Sequence, residues 1–401
     1  MKILLFSASF PPPFFGGSVE YVFNIIANLP AHSVVVHTGN LYPDEARKLD
    51  EFFPQKVIRS SFIAHVQKGL KFKESVLLRK LASLRQYLLW PIVGYWLILR
   101  ERPDLVHLGE HNFAGIAAWL AKRFLGIPYV FYTYAEEIPL LSKRALHNKI
   151  FLKILRGADK VITVSEYTRE LLLKAGVEPI RIVKILPAVS AKKRFVPVPE
   201  QVEAIRAKYS LANNKVLLTV GALEERKGHA TVIAALTEII KSYPDTKYVI
   251  AGTGPRTIEL EQLAVKDGLG DRVIFAGTID DVTLSCFYEI CDLFVMPHRQ
   301  VSNTLDTEGC PTVFLEASSH GKPVIGGNAG GVTDAILDGR TGYIIDGTSP
   351  AAVAERVCFL FNHPELIRQI GKQGYEYTAS LTPGKNAAMV WQFSQQMINI
   401  K

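Results

Sequence analysis

Short runs of almost unbroken apolar residues, each followed by a helical stretch, recur along the whole chain. That alternation restricts the possible fold more than any other feature. In the first half the runs are Ile3–Ser7, Ser33–His37, Leu105–Leu108, Tyr129–Tyr132 and Val161–Val164. In the second they are Val216–Val220, Tyr248–Ala251, Val273–Ala276, Leu293–Met296, Val324–Ile325 and Tyr343–Ile345. Runs this apolar suit strands covered by helices on both faces, and so parallel sheets. The pattern predicts an α/β chain with two doubly wound, Rossmann-like domains. A length of 401 residues also exceeds what one core ordinarily organises.

The seam falls at the proline-spaced stretch Phe195-Val196-Pro197-Val198-Pro199, after the basic cluster Lys192-Lys193-Arg194. The expected division is a first domain over 1–197, a second over 198–378, and a closing helix over 379–401 that packs back on the first domain. Hydrophobic residues at 48% and charged residues at 21% exclude a disordered chain. The four cysteines, Cys286, Cys291, Cys310 and Cys358, form no CxxC pair and read as reduced thiols. No basic segment precedes a long apolar one at the start, so no signal peptide is expected and the expected location is cytoplasmic. Charge is uneven: residues 1–200 carry 28 Lys and Arg against 16 Asp and Glu, while residues 201–401 carry 18 against 22. The first half is therefore suited to an anionic partner, a lipid surface or a nucleic acid.

Open α/β sheets bind ligands beyond the carboxyl ends of their strands, so the loops after strands are where chemistry is expected. The segment Glu308-Gly309-Cys310-Pro311-Thr312-Val313-Phe314-Leu315-Glu316 is the most informative of these. Pro311 suits the first turn of a helix that Gly321 would end. The helix start offers unpaired N–H groups to a diphosphate, and the two glutamates can accept from sugar or ribose hydroxyls. Spacing alone leaves open a loop acid followed by a solvated helix acid. Gly221-Ala222-Leu223-Glu224-Glu225-Arg226-Lys227-Gly228 follows another strand-like run, and Lys227 could reach a phosphate there. Gly252-Thr253-Gly254 lacks the third glycine of a dinucleotide fingerprint. Gly326-Gly327 and Gly330-Gly331, and Phe15-Gly16-Gly17-Ser18 near the start, are further glycine loops after strands. Walker A, Gly-x-Ser-x-Gly, HExxH and zinc-type patterns do not occur.

In this order the segments resemble family 4 of the retaining glycosyltransferases over nearly the whole chain, most closely from Lys215 to Asp346. The resemblance implies the GT-B fold, two doubly wound domains facing across a cleft. It implies that Glu308, with the backbone of Gly309, Cys310, Pro311 and Thr312, holds the donor sugar and diphosphate, and that Glu316 holds the ribose. Lys227 matches the family's donor-phosphate lysine, Gly16 and Gly17 its N-terminal glycine loop, and Phe275 to Ile279, with Thr278, the segment lining the nucleobase. Gly221 matches the glycine of the phosphate loop. Around Leu305 to Gly309 the chain is similar to phosphatidyl-inositol mannosyltransferases, which use GDP-mannose. Asp281 could accept from guanine N1–H and its amine, favouring GDP over UDP; as a helix N-cap it would have a structural role instead.

Two positions depart from the family pattern. Ala222 stands where the family has a phosphate-contacting arginine, and Arg226 could supply that charge. Tyr134-Ala135 stands where the family has His-Gly; Tyr134 can hydrogen-bond but carries no proton near pH 7. His107 and His111 lie nearby in sequence, with a structural role the simpler reading for each.

Lys68, Lys71, Lys73, Arg79, Lys80 and Arg85 precede the apolar run Leu88 to Leu99, which at 12 residues is too short to span a bilayer. Basic residues beside Trp and Tyr suit an interfacial segment, although part of the run can be buried helix. The expected partners are therefore a nucleotide-sugar donor, GDP-mannose ahead of a UDP-sugar, a lipid-linked or glycan acceptor, and an anionic membrane surface at the inner face of the plasma membrane. Nucleic acid is not expected. No Asp-x-Asp motif occurs, so Lys227, Arg226 and the helix start near Cys310 would stabilise the leaving diphosphate without a metal or other cofactor. A UDP-sugar transferase of the same family and a homologue that only binds its ligand remain as alternatives.

Overall fold

Among the described residues of the computed structural model, thirteen strands form two all-parallel sheets. The structure describes residues 1–12, 16–63, 76–135, 137–138, 146–301 and 307–399, without the side chains of 76–84, 146 and 147. The first sheet comprises β1 (Ile3–Phe6), β2 (Val34–Gly39), β3 (Lys56–Ser60), β4 (Leu105–Leu108), β5 (Tyr129–Thr133), β6 (Lys160–Thr163) and β7 (Ile182–Lys184). Its order is β3-β2-β1-β4-β5-β6-β7. The second comprises β8 (Lys215–Val220), β9 (Thr246–Ala251), β10 (Val273–Gly277), β11 (Leu293–Met296), β12 (Val324–Gly327) and β13 (Gly342–Ile345), in the order β10-β9-β8-β11-β12-β13. Each sheet reverses its winding once, between β1 and β4 and between β8 and β11. Those reversals are where a doubly wound sheet opens a crevice at the carboxyl ends of its strands.

Burial explains why the strands read as apolar runs. Along the second sheet, Leu217, Tyr248, Ile250, Leu293 and Val295 pack into one core layer. The alternating Val216, Leu218, Val249, Phe294 and Met296 pack into another. Each large side chain removed from water contributes about 1.5–3 kcal/mol. The edge strands β3 and β7 are only partly covered.

The chain divides into one unit of Met1–Pro187 with Pro383–Lys401 and another of Ala188–Thr382. The first boundary thus lies before the proline stretch at 195–199. The basic cluster belongs to the second unit because Arg194 Nη2 donates to Leu381 O at 3.0 Å and Lys193 pairs with Asp281 at 3.0 Å. The segment 379–382 stays with that unit through the same arginine. The helix Pro383–Asn399 belongs to the first unit: it packs against the helix Gly17–Ala27, and Asn386 Nδ2 donates to Leu186 O at 2.8 Å.

The helix Val76–Glu101 crosses the first sheet beside the helix Gly115–Leu125. A side chain at Gly94 would press on Ala117, so glycine lets the two helices approach closely. Trp90, Leu97 and Ile98 are buried, whereas Leu88, Ile92, Trp96 and Leu99 are 49–68% exposed. The apolar run is therefore core on one face only. Lys68, Lys71 and Lys73, and the side chains of Arg79 and Lys80, lie outside the described residues. Among the described residues no helix is long and apolar enough to cross a membrane.

Candidate functional site

In the second unit the loops after β8 and β11 meet at the winding reversal. The chain leaves β8 through Gly221, makes a tight turn at Glu225–Lys227, and enters the helix His229–Ser242. Gly228 joins turn to helix at φ +77, and a side chain there would collide with Pro297 O after β11, so the two loops are held in contact. Lys227 Nζ lies 2.6 Å from Glu308 Oε1, and Arg226 Nη1 pairs with the same oxygen. Arg226 Nε donates to Glu224 Oε2 at 2.9 Å. Lys227 is buried and Glu308 half-buried. Two cations thus converge on one carboxylate oxygen in a partly desolvated crevice, where charge interactions are stronger than in water.

Gly309, Cys310 and Pro311 lead from Glu308 into the helix Thr312–Ser319. Pro311 is the N-cap, one position before the first turn, and Gly321 ends the helix in the left-handed region. The early amides of this helix, from Thr312 on, carry the partial positive charge of its N-terminus. Glu316 is buried within it and accepts from Tyr288 Oη at 3.1 Å. The Glu308 backbone is fixed as well: Gly331 N donates to its carbonyl at 2.9 Å, and a side chain at Gly330 would strike that carbonyl.

Thr278 is exposed and Ile279 half-buried after β10, and Asp281 opens the helix Asp281–Ile290. Asp280, not Asp281, is the N-cap, accepting from Thr283 N at 2.7 Å. Asp281 does not join the Lys227 cluster. Its carboxylate pairs with Lys192 and Lys193. Partial burial raises its pKa, but the hydrogen bonds from the two lysines more than offset this and leave it lowered.

In the first unit, Gly16 is the exposed N-cap of the helix Gly17–Ala27 and accepts from Glu20 N at 3.3 Å. Tyr134 follows β5, and its hydroxyl donates to Gly109 O at 2.6 Å. Burial, and then the charge of Glu110, push its phenol well above the usual range. Tyr134 is thus a fixed hydrogen-bonding residue rather than a proton carrier. His107 is buried against Tyr132 Oη at 3.1 Å, and burial lowers it to about 3; His111 is exposed with its ring edge on Phe151.

Two residues with evident roles escaped the sequence reading. His298, just after β11, is buried; Gly327 N donates to its Nδ1 at 3.3 Å and its Nε2 lies 2.8 Å from Ala329 O. It clamps the glycine loop that supports Glu308, and burial lowers it to about 4. Glu110, after β4, accepts from Ser7 Oγ at 2.7 Å and from Ala8 N at 2.5 Å, joining the two strands at the other winding reversal. Burial raises its carboxyl to about 7, against the hydrogen bonds from Ala8, Ser7 and Asn112. A lone acid or histidine directly after a strand was the available signal for both.

Comparison with known proteins bears on this geometry. Residues 15–193 match the model described as Glycosyltransferase Family 4, and residues 201–377 match that described as Glycosyl transferases group 1. A Mycolicibacterium smegmatis protein named GDP-mannose-dependent alpha-(1-6)-phosphatidylinositol monomannoside mannosyltransferase is 35% identical over 222 residues. That match covers 55% of this chain and 58% of the relative, less than two thirds of the relative's length. A Corynebacterium glutamicum protein named GDP-mannose-dependent monoacylated alpha-(1-6)-phosphatidylinositol monomannoside mannosyltransferase is 27% identical over 93% of this chain and 92% of its own. The Anabaena protein HepE, solved in complex with UDP, has a TM-score of 0.77 at 19% identity over 99% of this chain and all of that one, a likeness of fold. With both family models matched in sequence order on two parallel-sheet units, the chain belongs to the family 4 and group 1 glycosyltransferases and has the GT-B fold.

Proposed function

We propose that the protein transfers mannose from GDP-mannose to a hydroxyl of a lipid-linked acceptor, with retention at the anomeric carbon. The observation that carries this reading is the convergence of Lys227 and Arg226 on Glu308 in front of the helix Thr312–Ser319. A diphosphate brings more negative charge than one carboxylate and would draw Lys227 and Arg226 from Glu308. Glu308 is then released to accept from hydroxyls of the donor sugar. As the bond to the sugar breaks, negative charge grows on the departing diphosphate, and the two cations with the helix amides stabilise it. These groups supply the charge a metal would otherwise supply. Glu316, held by Tyr288, is assigned to the ribose. For retention, the leaving phosphate takes the proton of the acceptor hydroxyl on the face it departs from.

GDP-mannose is favoured because two relatives, one aligned along nearly the whole chain, carry that donor in their names. The UDP complex of HepE, at 19% identity, speaks for the fold. Lipid linkage of the acceptor is supported by the outward face of the helix Val76–Glu101. Leu88, Ile92, Trp96 and Leu99 recur at helical spacing, with Arg85 and Arg100 exposed beside them and Arg100 stacked 4.5 Å over Trp96. Exposed apolar side chains flanked by arginines suit an anionic leaflet, here the cytoplasmic face of the plasma membrane.

A thermal-shift panel with GDP, UDP, ADP and their mannose or glucose conjugates tests the donor. A ligand at 100 times its Kd adds about 2.7 kcal/mol of stability. Stabilisation by GDP and GDP-mannose, lost in Lys227→Ala, is the expected result. Preference for UDP would replace the donor assignment, and binding without consumption of donor would mark a binding-only homologue.

A further inference from the structure

The two sheets are built alike at their winding reversals. In the second, Glu308 after β11 meets Lys227 after β8; in the first, Glu110 after β4 meets Ser7 after β1. The second crevice is accounted for by the donor. The first holds a partly open pocket of about 190 Å³ whose polar lining is Ser7, Ser9, Ser18, Glu110 and Tyr134, with Val22 among its apolar walls. At roughly 30 Å³ per water this is space for about six waters, less than a whole nucleotide needs.

The lining chemistry narrows the occupant. Among the described residues no lysine or arginine lines the pocket, so a phosphate would meet a carboxylate with no counter-charge. Serine hydroxyls can donate and accept, the carboxylate accepts, and the apolar wall suits C–H groups. Those features match one ring bearing several hydroxyls. Glu110 has capacity for it. Its two oxygens offer about four lone-pair positions. Ser7 and Ala8 make the short bonds, while Asn112 Nδ2 stands at 3.5 Å.

We propose that Glu110 is a specificity-determining residue of the acceptor site, receiving hydroxyls of a polyhydroxylated six-membered ring seated in this pocket. The inference rests on the reading that the first unit carries the acceptor. Glu110 also fastens the start of the loop from β1 to the glycines at 16 and 17, so a purely structural role must be separated from recognition. Glutamine keeps an acceptor oxygen for Ala8 N and turns an amide donor to the Ser7 hydroxyl, which can accept, while removing the charge. It should therefore preserve the loop and weaken the ring.

The test is ligand-observed NMR titration of methyl α-D-mannopyranoside and myo-inositol against the full chain at about pH 8.5, where Glu110 is ionised, in wild type, Glu110→Gln and Ser18→Ala. GDP-induced thermal shifts are measured on the same samples. At least one ring should bind wild type and lose about tenfold in affinity in Glu110→Gln, the difference between a charged and a neutral acceptor, with the GDP shift unchanged. The proposal is overturned if neither ring binds wild type, if Glu110→Gln binds within twofold of wild type, or if inorganic phosphate displaces the ring. A ring that responds to Glu110 in a protein that no GDP stabilises would sink the donor assignment and leave this one standing.

Discussion

Lys227 Nζ and Glu308 Oε1, 2.6 Å apart, join the loops of two neighbouring strands that are far apart in sequence. Removing the lysine leaves Arg226 on the carboxylate, so the fold should persist. Lys227→Ala is expected to lower kcat by about 10²–10³, the usual loss for one preorganised donor at a developing anion. Steady-state kinetics beside a circular dichroism spectrum check this, and an unchanged kcat would remove Lys227 from the reaction.

The same two cations make metal ions dispensable in the proposed chemistry. Exhaustive dialysis against EDTA should leave the transfer rate within twofold. A rate that collapses and returns with Mg²⁺ or Mn²⁺ would show that Lys227 and Arg226 do not suffice.

Ala135 is buried with φ +85, a backbone region costly for any residue with a Cβ. Ala135→Gly should stabilise the first unit by about 1 kcal/mol, or roughly 2–4 °C in Tm for a unit of this size. Calorimetry reads it directly, and a lowered Tm would mean that the methyl group's packing outweighs the backbone cost.

Four buried histidines should dominate the acid side of the stability profile. Burial lowers His37, His229 and His298 to about 4 and His107 to about 3. The unfolded chain takes up their protons first, so stability present above pH 6.5 is lost as pH falls toward the folded values, by up to about 3 kcal/mol for each of the first three and about 5 kcal/mol for His107. Glu110 has the opposite sign. Its pKa is raised in the folded state, so it favours folding less as pH rises from about 4.5 to about 7. Glu110→Gln should accordingly steepen the loss of Tm on acidification from pH 6.5 to 4.5; an unaltered slope would mean that Glu110 titrates as an ordinary carboxylate.

The exposed stripe of the helix Val76–Glu101 gives a membrane prediction. Replacing Ile92 by Asn and Trp96 by Ser removes two large apolar side chains that the core does not use. At about 1.5–3 kcal/mol for each side chain fully buried, partition onto vesicles with anionic lipid should fall at least tenfold. Sedimentation with the vesicles measures it, and equal partition of the variant would leave the stripe without that role.

Legibility in the sequence followed burial. Leu105–Leu108 and Leu293–Met296 are central strands, covered on both faces, and their apolar runs coincide with β4 and β11. β3 and β7 escaped because edge strands are half-covered and can carry Lys56, Arg59 and Lys184. Lys227 and Glu308 were legible as family positions, but their meeting depends on which strands become neighbours, which no local pattern encodes. Asp281 shows the same limit: its pairing with Lys192 and Lys193 joins segments distant in the chain, which its local spacing does not encode. Glu110 and His298 are single polar residues in loops, and only burial distinguishes them from solvated ones.

The helix Pro383–Asn399 completes a unit whose other residues end at Pro187. Its buried Ala387, Val390 and Ser394 come off the ribosome only after every residue of Ala188–Thr382 has been made. The later-encoded unit therefore has all its parts first, while the earlier-encoded one waits with the surface of the helix Gly17–Ala27 uncovered. A nascent chain stalled before Pro383 should thus protect the middle of the sequence from protease before its beginning, reversing the usual order of synthesis and folding.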